Sequence, residues 1–273
     1  MVDAHIASGA GVTVAAIPVP IDEATAFGVI HADENDKIVE FVEKPPVPPA
    51  MPGDPTRALA SMGNYVFTTE ALIDAVTPAA DGSGPSDVGG HVIPALTAKG
   101  EAYMYDFSLN EIPGQADHER GYWRDVGSLD AYYEANMDLL AAVPAFSLYN
   151  RQWPVYSLQL PLPPAKLAYG RSGRQAEVCN SLMSAGCIVS GAWVDASVLS
   201  NEVYVDSDAH VTESILFPGV HIGAGARVRR AVIDKNVDVP PGEVIGMDLE
   251  RDRERFTVSD NGVVLIPKDY RFE

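Results

Sequence analysis

The chain has only two cysteines, Cys179 and Cys187, in 273 residues. That is too few for a disulfide framework, and they read as reduced thiols of a cytoplasmic protein. No run of 18 or more apolar residues occurs, so no membrane-spanning helix is expected. Met1-Val2-Asp3-Ala4-His5 lacks the basic and apolar stretches of a signal peptide. Basic residues are scarce: 19 Lys and Arg face 38 Asp and Glu, a net charge of −19. Nucleic acid and anionic membrane are therefore poor partners. A phosphorylated substrate stays compatible, because a local lysine or Mg²⁺ overrides the global field. Nucleotide-cradling glycine loops are missing as well. Gly9-Ala10-Gly11 reads as a helix-to-strand turn, and Gly89-Gly90 has no following Lys-Ser/Thr.

What is present falls into two textures. Residues 1–143 alternate strand and helix patterns, which points to an α/β sheet. Strands are expected at Val12–Pro18, Phe27–His31, Ile38–Glu43, Ala60–Phe67 and Ala102–Phe107. Helices are expected at Met1–Gly9, Thr69–Val76, Val88–Lys99 and Ser128–Ala142. Ser128 suits an N-cap with Asp130 in the first turn, followed by an apolar stripe of Leu129, Tyr132, Tyr133, Met137 and Leu140. The loop Pro45–Pro55 is too proline-rich for a helix or sheet interior. Residues 144–166 form a proline-rich connector with aromatic anchors, and 167–273 form a second domain.

The second domain repeats every 17 residues. Ile188, Val205, Ile222 and Val239 form one apolar series. Val194, Val211, Val228 and Ile245 form a second, and Leu182, Leu199, Leu216 and Ile233 a third. Stacked coils whose faces each advance about six residues place such side chains inward, one above another. The expected architecture is a left-handed parallel β-helix of hexapeptide repeats, with Gly186, Gly191, Gly219, Gly223 and Gly225 near its corners.

Chemistry gathers in the first domain. Phe41-Val42-Glu43-Lys44-Pro45 is a strand stopped by proline, so an acid and a base arrive together at a strand end, where α/β sheets place ligands. A lysine there suits a phosphate and a glutamate suits sugar hydroxyls; an ordinary surface ion pair is the plainer alternative. Gly28 sits in a strand, which permits close ligand approach or marks a bulge. Ser61 opens the strand Ser61–Phe67. In Ser86-Asp87, Asp87 is a candidate ligand or a helix cap. Tyr122-Trp123-Arg124-Asp125-Val126-Gly127 presents Asp125 before a capped helix, either as a functional acid or as a partner of Arg124 or Arg120.

Together these segments resemble the bacterial ADP-glucose pyrophosphorylase family, the glucose-1-phosphate adenylyltransferases. The likeness runs from Val12–Pro20 through FVEKP, SMGNYVF, Ser86–Gly89 and YWRDVG to Tyr132–Asn136, and extends into the β-helix. The resemblance implies a Rossmann-like nucleotidyltransferase domain, incomplete here, followed by the β-helix. It implies adenylyl transfer from ATP to glucose 1-phosphate, giving ADP-glucose and pyrophosphate in glycogen synthesis. By residue, it implies that Lys44 binds the sugar phosphate and that Glu43, Ser61, Gly28 and Asp87 hold the glucose. It places Trp123 near the reacting groups and makes Asp125 one of two aspartates on a catalytic Mg²⁺. The family is an allosteric tetramer activated by sugar phosphates. Lys235 and Lys268 match activator-binding positions, with Arg227, Arg229 and Arg230 weaker candidates and solvated surface lysines the plainer alternative.

The family's GxGxRL phosphate loop, much of its adenine pocket and its other metal aspartate have no match in these residues. Met1 corresponds to a family position a few residues past that aspartate. The expectation is a truncated form with little activity alone, in which Val12–Val19 lacks sheet neighbours and exposes an apolar edge. Two other readings are a non-catalytic subunit pairing with a full-length homologue through the β-helix, and a hexapeptide acyltransferase using His210 or His221 as base. For either histidine a solvent-facing turn is the simpler placement. Relatives using UTP, dTTP or GTP stay open, although the sugar side and YWRDVG favour ADP-glucose.

Overall fold

The computed structural model describes residues 1–77 and 87–272. They form two compact units, Met1–Ile112 and Pro113–Glu273. This division lies before the change of composition at 144–166, because residues 113–143 pack within the second unit. Among the described residues, no helix is long and apolar enough to cross a membrane.

The first unit is built on one five-stranded mixed sheet. Its strands are β1 (Val12–Pro20), β2 (Gly28–Ala32), β3 (Ile38–Glu43), β4 (Arg57–Phe67) and β5 (Ala102–Asp106), in the order β3-β2-β4-β1-β5. The expected apolar edge at Val12–Val19 is not found. β1 pairs with β4 antiparallel on one side and with β5 parallel on the other, so it lies inside the sheet. Val12, Val14 and Ala16 face a core with Ile30, Ile38, Phe41, Ile93 and Leu96. Burial on both faces explains why β1 reads as a continuous apolar run.

The helices of this unit are α1 (Val2–Ser8), α2 (Thr69–Val76) and α3 (Ile93–Ala98). The helix expected from Val88 divides: Val88–Val92 is a π turn, and α3 follows it. α1 is pinned by His5, which is buried between two threonines. Its Nδ1 lies 2.8 Å from Thr13 Oγ1 and its Nε2 3.3 Å from Thr68 Oγ1. The Thr68 hydroxyl donates to the Ala10 carbonyl at 2.7 Å. It is therefore placed to accept from Nε2–H.

In the second unit, three sheets of short parallel strands build a β-helix. Val194, Val211, Val228 and Ile245 pair in one fully buried column, as the repeat predicts. The other two series are each corrected at their first member. Val205 pairs with Val189, not Ile188, and Leu199 pairs with Met183, not Leu182. The first coil is one residue short, since Val189 to Val194 is a five-residue step where later coils use six. A one-residue slip turns a strand over, so Val189 is fully buried and Ile188 is only half-buried.

One corner of every coil is tight, with five residues between inward side chains. It is turned by a residue in the left-handed region that is not glycine: Asn180, Ala196, Glu213 and Arg230, with φ between 39° and 49°. A serine ladder stabilises this corner. Ser197 and Ser214 each donate to the carbonyl two residues back, at 2.7 Å. Each hydroxyl then accepts the backbone N–H of the next coil, from Ser214 at 3.1 Å and from Ala231 at 3.2 Å. The helix α4 (Leu129–Asp138) is capped as expected, Ser128 Oγ accepting the Ala131 N–H at 3.1 Å. Its Tyr133 is buried with Ile215, Val232 and Val263, and donates to the Glu213 carbonyl at 2.8 Å. The aromatic stripe read from the sequence thus packs on the β-helix.

Ser214→Ala leaves the buried Ala231 N–H without its acceptor, so denaturant unfolding should show a loss of about 1–3 kcal/mol. His210 is a strand residue stacked on Trp193, with ring centroids 6.3 Å apart, and not a turn residue. Burial holds its pKa below 6.5, reinforced by Arg174 and Arg227. The unfolded chain then takes up this proton first as pH falls, so stability present above about pH 6.5 is lost below it. Melting curves of His210→Gln from pH 7.5 to 5 should show a shallower fall than the parent.

Candidate active site

Three predicted residues share one level of the first sheet. In the β2–β3 ladder Gly28 stands opposite Glu43, and in the β2–β4 ladder Val29 stands opposite Ala60. Continuing that register by one residue sets Ser61 beside Gly28, so Glu43, Gly28 and Ser61 cross three strands as one rung. β4 is interrupted just after it. Val14 pairs with Tyr65 but Ala16 with Ser61, so Met62–Asn64 bulge outward, with Gly63 at φ 72°. Bulges of this kind re-aim side chains beside functional sites. Ser61 is 8% exposed, and its Oγ accepts the Gly63 N–H at 3.4 Å.

Glycine at 28 is required by space. A Cβ there would lie 2.5 Å from Phe41 Cζ and 2.9 Å from Glu43 Oε2. The next residue, Lys44, has φ 47°, and its N–H donates to the Phe27 carbonyl at 3.0 Å. A β-carbon in the left-handed region costs on the order of 1–2 kcal/mol. Such strain gathers at functional positions. Glu43 and Lys44 are both exposed at the sheet end. Asp87 is the cap of the π turn, its Oδ2 accepting the Gly90 N–H at 2.6 Å. Ser86 lies outside the described residues.

Trp123 and Asp125 belong to the second unit. The two arginines read as possible partners of Asp125 go elsewhere: Arg124 pairs with Asp138, and Arg120 with Asp117 at 3.5 Å. Asp125 is exposed and folds toward its own chain, since a Cβ at Gly127 would lie 3.1 Å from its Oδ2. Among the described residues no three acidic, His or Cys side chains group as a metal site. Asp125 thus offers one hard oxygen ligand, which suits Mg²⁺ as part of a shared set. Lys235 and Lys268 follow the parallel strands Ala231–Ile233 and Val264–Ile266 at the same level. Lys268 Nζ lies 3.9 Å from Asp269 Oδ2.

Glu119 escaped the sequence reading. It is 5% exposed, and its two carboxylate oxygens accept the Ala116 N–H at 2.8 Å and the Ser147 N–H at 2.5 Å. One buried side chain therefore closes both ends of the stretch that carries Trp123, Asp125 and α4. Its only sequence signal is an acid just ahead of Tyr122–Gly127, next to further charges, which does not distinguish it.

The nucleotidyl transferase family profile matches residues 1–142, and the GlmU-like C-terminal hexapeptide profile matches 163–266. A glucose-1-phosphate adenylyltransferase of Corynebacterium jeikeium is 52% identical over 271 residues, 98% of this chain and 66% of the relative. The enzyme of that name from Anaeromyxobacter sp. is 49% identical, over 100% of this chain and 67% of the relative. The one from Arthrobacter sp. is 48% identical, over 98% of this chain and 58% of the relative. The chain belongs to the glucose-1-phosphate adenylyltransferase family. It spans about two thirds or less of the length of these relatives. Within the family frame, the rung Glu43–Gly28–Ser61 lies in the nucleotidyl transferase part, as does Tyr122–Gly127.

Glu119→Ala strands two backbone donors. It should lower stability by about 2 kcal/mol and speed proteolytic cleavage within 116–147, read by denaturant unfolding and by mapping the fragments.

Proposed function

We propose that this chain serves adenylyl transfer from ATP to glucose 1-phosphate, forming ADP-glucose and pyrophosphate, and that it supplies the sugar-phosphate side. The observation that carries this reading is the Glu43–Gly28–Ser61 rung with Lys44 at its end. A carboxylate and a hydroxyl offer acceptors and a donor to pyranose hydroxyls, and glycine lets the sugar approach the backbone. Lys44 supplies a point charge for the phosphate at the strand end. Asp87 adds a second carboxylate. In line with this, the sugar-phosphate oxygen attacks the α-phosphorus of ATP, so these residues act by positioning and charge neutralisation.

By the family resemblance, Trp123 is assigned to substrate binding and Asp125 would hold Mg²⁺, which when bound neutralises phosphate charge. Lys235 and Lys268, adjacent in register, are assigned to a sugar-phosphate activator in a homo-oligomer, with a tetramer expected. The sequence carries no GxGxRL motif and the described residues form no glycine-rich phosphate loop, so the ATP phosphates are assigned to no residue here, and residues 1–273 alone are expected to make ADP-glucose poorly.

Calorimetric titration of residues 1–273 with glucose 1-phosphate tests the reading. The parent should bind, and Lys44→Ala should lose on the order of tenfold to a hundredfold in affinity with its melting temperature unchanged. No binding by the parent, or full binding by Lys44→Ala, would reject the assignment.

A further inference from the structure

We propose that Gly89 is a specificity-determining residue of the glucose 1-phosphate site, because the space its missing side chain leaves is occupied by the Glu43 carboxylate. This rests on the functional reading above. A Cβ at Gly89 would lie 2.9 Å from Glu43 Oε2, 3.5 Å from its carboxyl carbon and 3.8 Å from Asp87 Oδ2. From the other side, a Cβ at Gly28 would lie 2.9 Å from the same Glu43 oxygen. The carboxylate thus lies between two backbones that carry no β-carbon.

Backbone torsion does not explain glycine at 89. Its φ is not among the positive values, unlike Gly63 or Gly100. Space does explain it. Gly89 is buried although Glu43 beside it is exposed. The π turn is the device that brings it there. The Asp87 carbonyl accepts the His91 N–H at 3.1 Å and the Val92 N–H at 3.4 Å, so the turn is widened by a residue just where it meets β3. Asp87 Oδ2 is held by the Gly90 N–H of the same turn.

The consequence is chemical. Glu43 and Asp87 become two acceptor-only groups facing one ligand, which selects an aldose 1-phosphate with two free hydroxyls and rejects analogues that lack one. A β-carbon at 89 obliges the Glu43 carboxylate to shift from this position and weakens that selection, while leaving Lys44 to hold phosphate.

Titration of the 273-residue chain with glucose 1-phosphate and, separately, with inorganic phosphate tests this. Gly89→Ala should bind glucose 1-phosphate about tenfold more weakly and inorganic phosphate as the parent does. In a Glu43→Ala background, Gly89→Ala should add no further loss. Glu43→Asp, whose carboxylate is shorter, should recover part of the affinity of Gly89→Ala. Parent-like glucose 1-phosphate binding by Gly89→Ala, or an equal loss in both backgrounds, overturns the proposal alone. A parent chain that binds glucose 1-phosphate no better than inorganic phosphate overturns the functional reading and this proposal with it. Should Gly89→Ala unfold, the double variant with Glu43→Ala should refold, and a double variant that stays unfolded overturns the proposal.

Discussion

The antiparallel register of β3 on β2 and of β2 on β4 is the constraint on which the site depends. It alone makes Glu43, Gly28 and Ser61 neighbours, although they are far apart in the chain. A slip of one residue in either ladder would turn Glu43 or Ser61 to the opposite face of the sheet. The core prevents that slip. Ile38 and Phe41 on β3 and Ile30 on β2 are buried in the same cluster, and shifting them would expose all three. The position of the polar residues is therefore set by the apolar ones.

The β-helix follows the same principle in another geometry. After the shorter first coil, its coils advance by five, six and six residues, and that count keeps the columns of Val, Leu and Ile inward. The five-residue corner demands left-handed backbone, and alanine, glutamate and arginine adopt it there without glycine's freedom. The serine ladder supplies the hydrogen bonds that the tight turn withholds from the strand pattern. Local strain is offset by contacts between coils, so each coil is stable only in its stack.

Much of this was legible in the residues. Proline after Phe41–Lys44 marks the strand end, and β3 ends at Glu43. Ser128 caps α4, and the 17-residue period marks the buried columns of the later coils. Other features were not legible, for physical reasons. Ile188 and Val189 are both apolar, so the pattern alone could not say which turns inward; the short first coil decides it. Gly89 and Glu119 carry no local signature, because their roles arise from groups distant in sequence: the Glu43 carboxylate for one, the Ser147 N–H for the other.

By itself, the sequence determined the kind of chain this is: an acidic α/β and β-helix protein with an acid and a lysine delivered at a strand end. Periodicity and proline act locally, so they can be read residue by residue. Only the tertiary structure decided that β1 lies inside its sheet, that α4 packs on the β-helix, and that Glu43 lies between Gly28 and Gly89. Those outcomes depend on which buried surfaces meet, and that is a property of the whole fold.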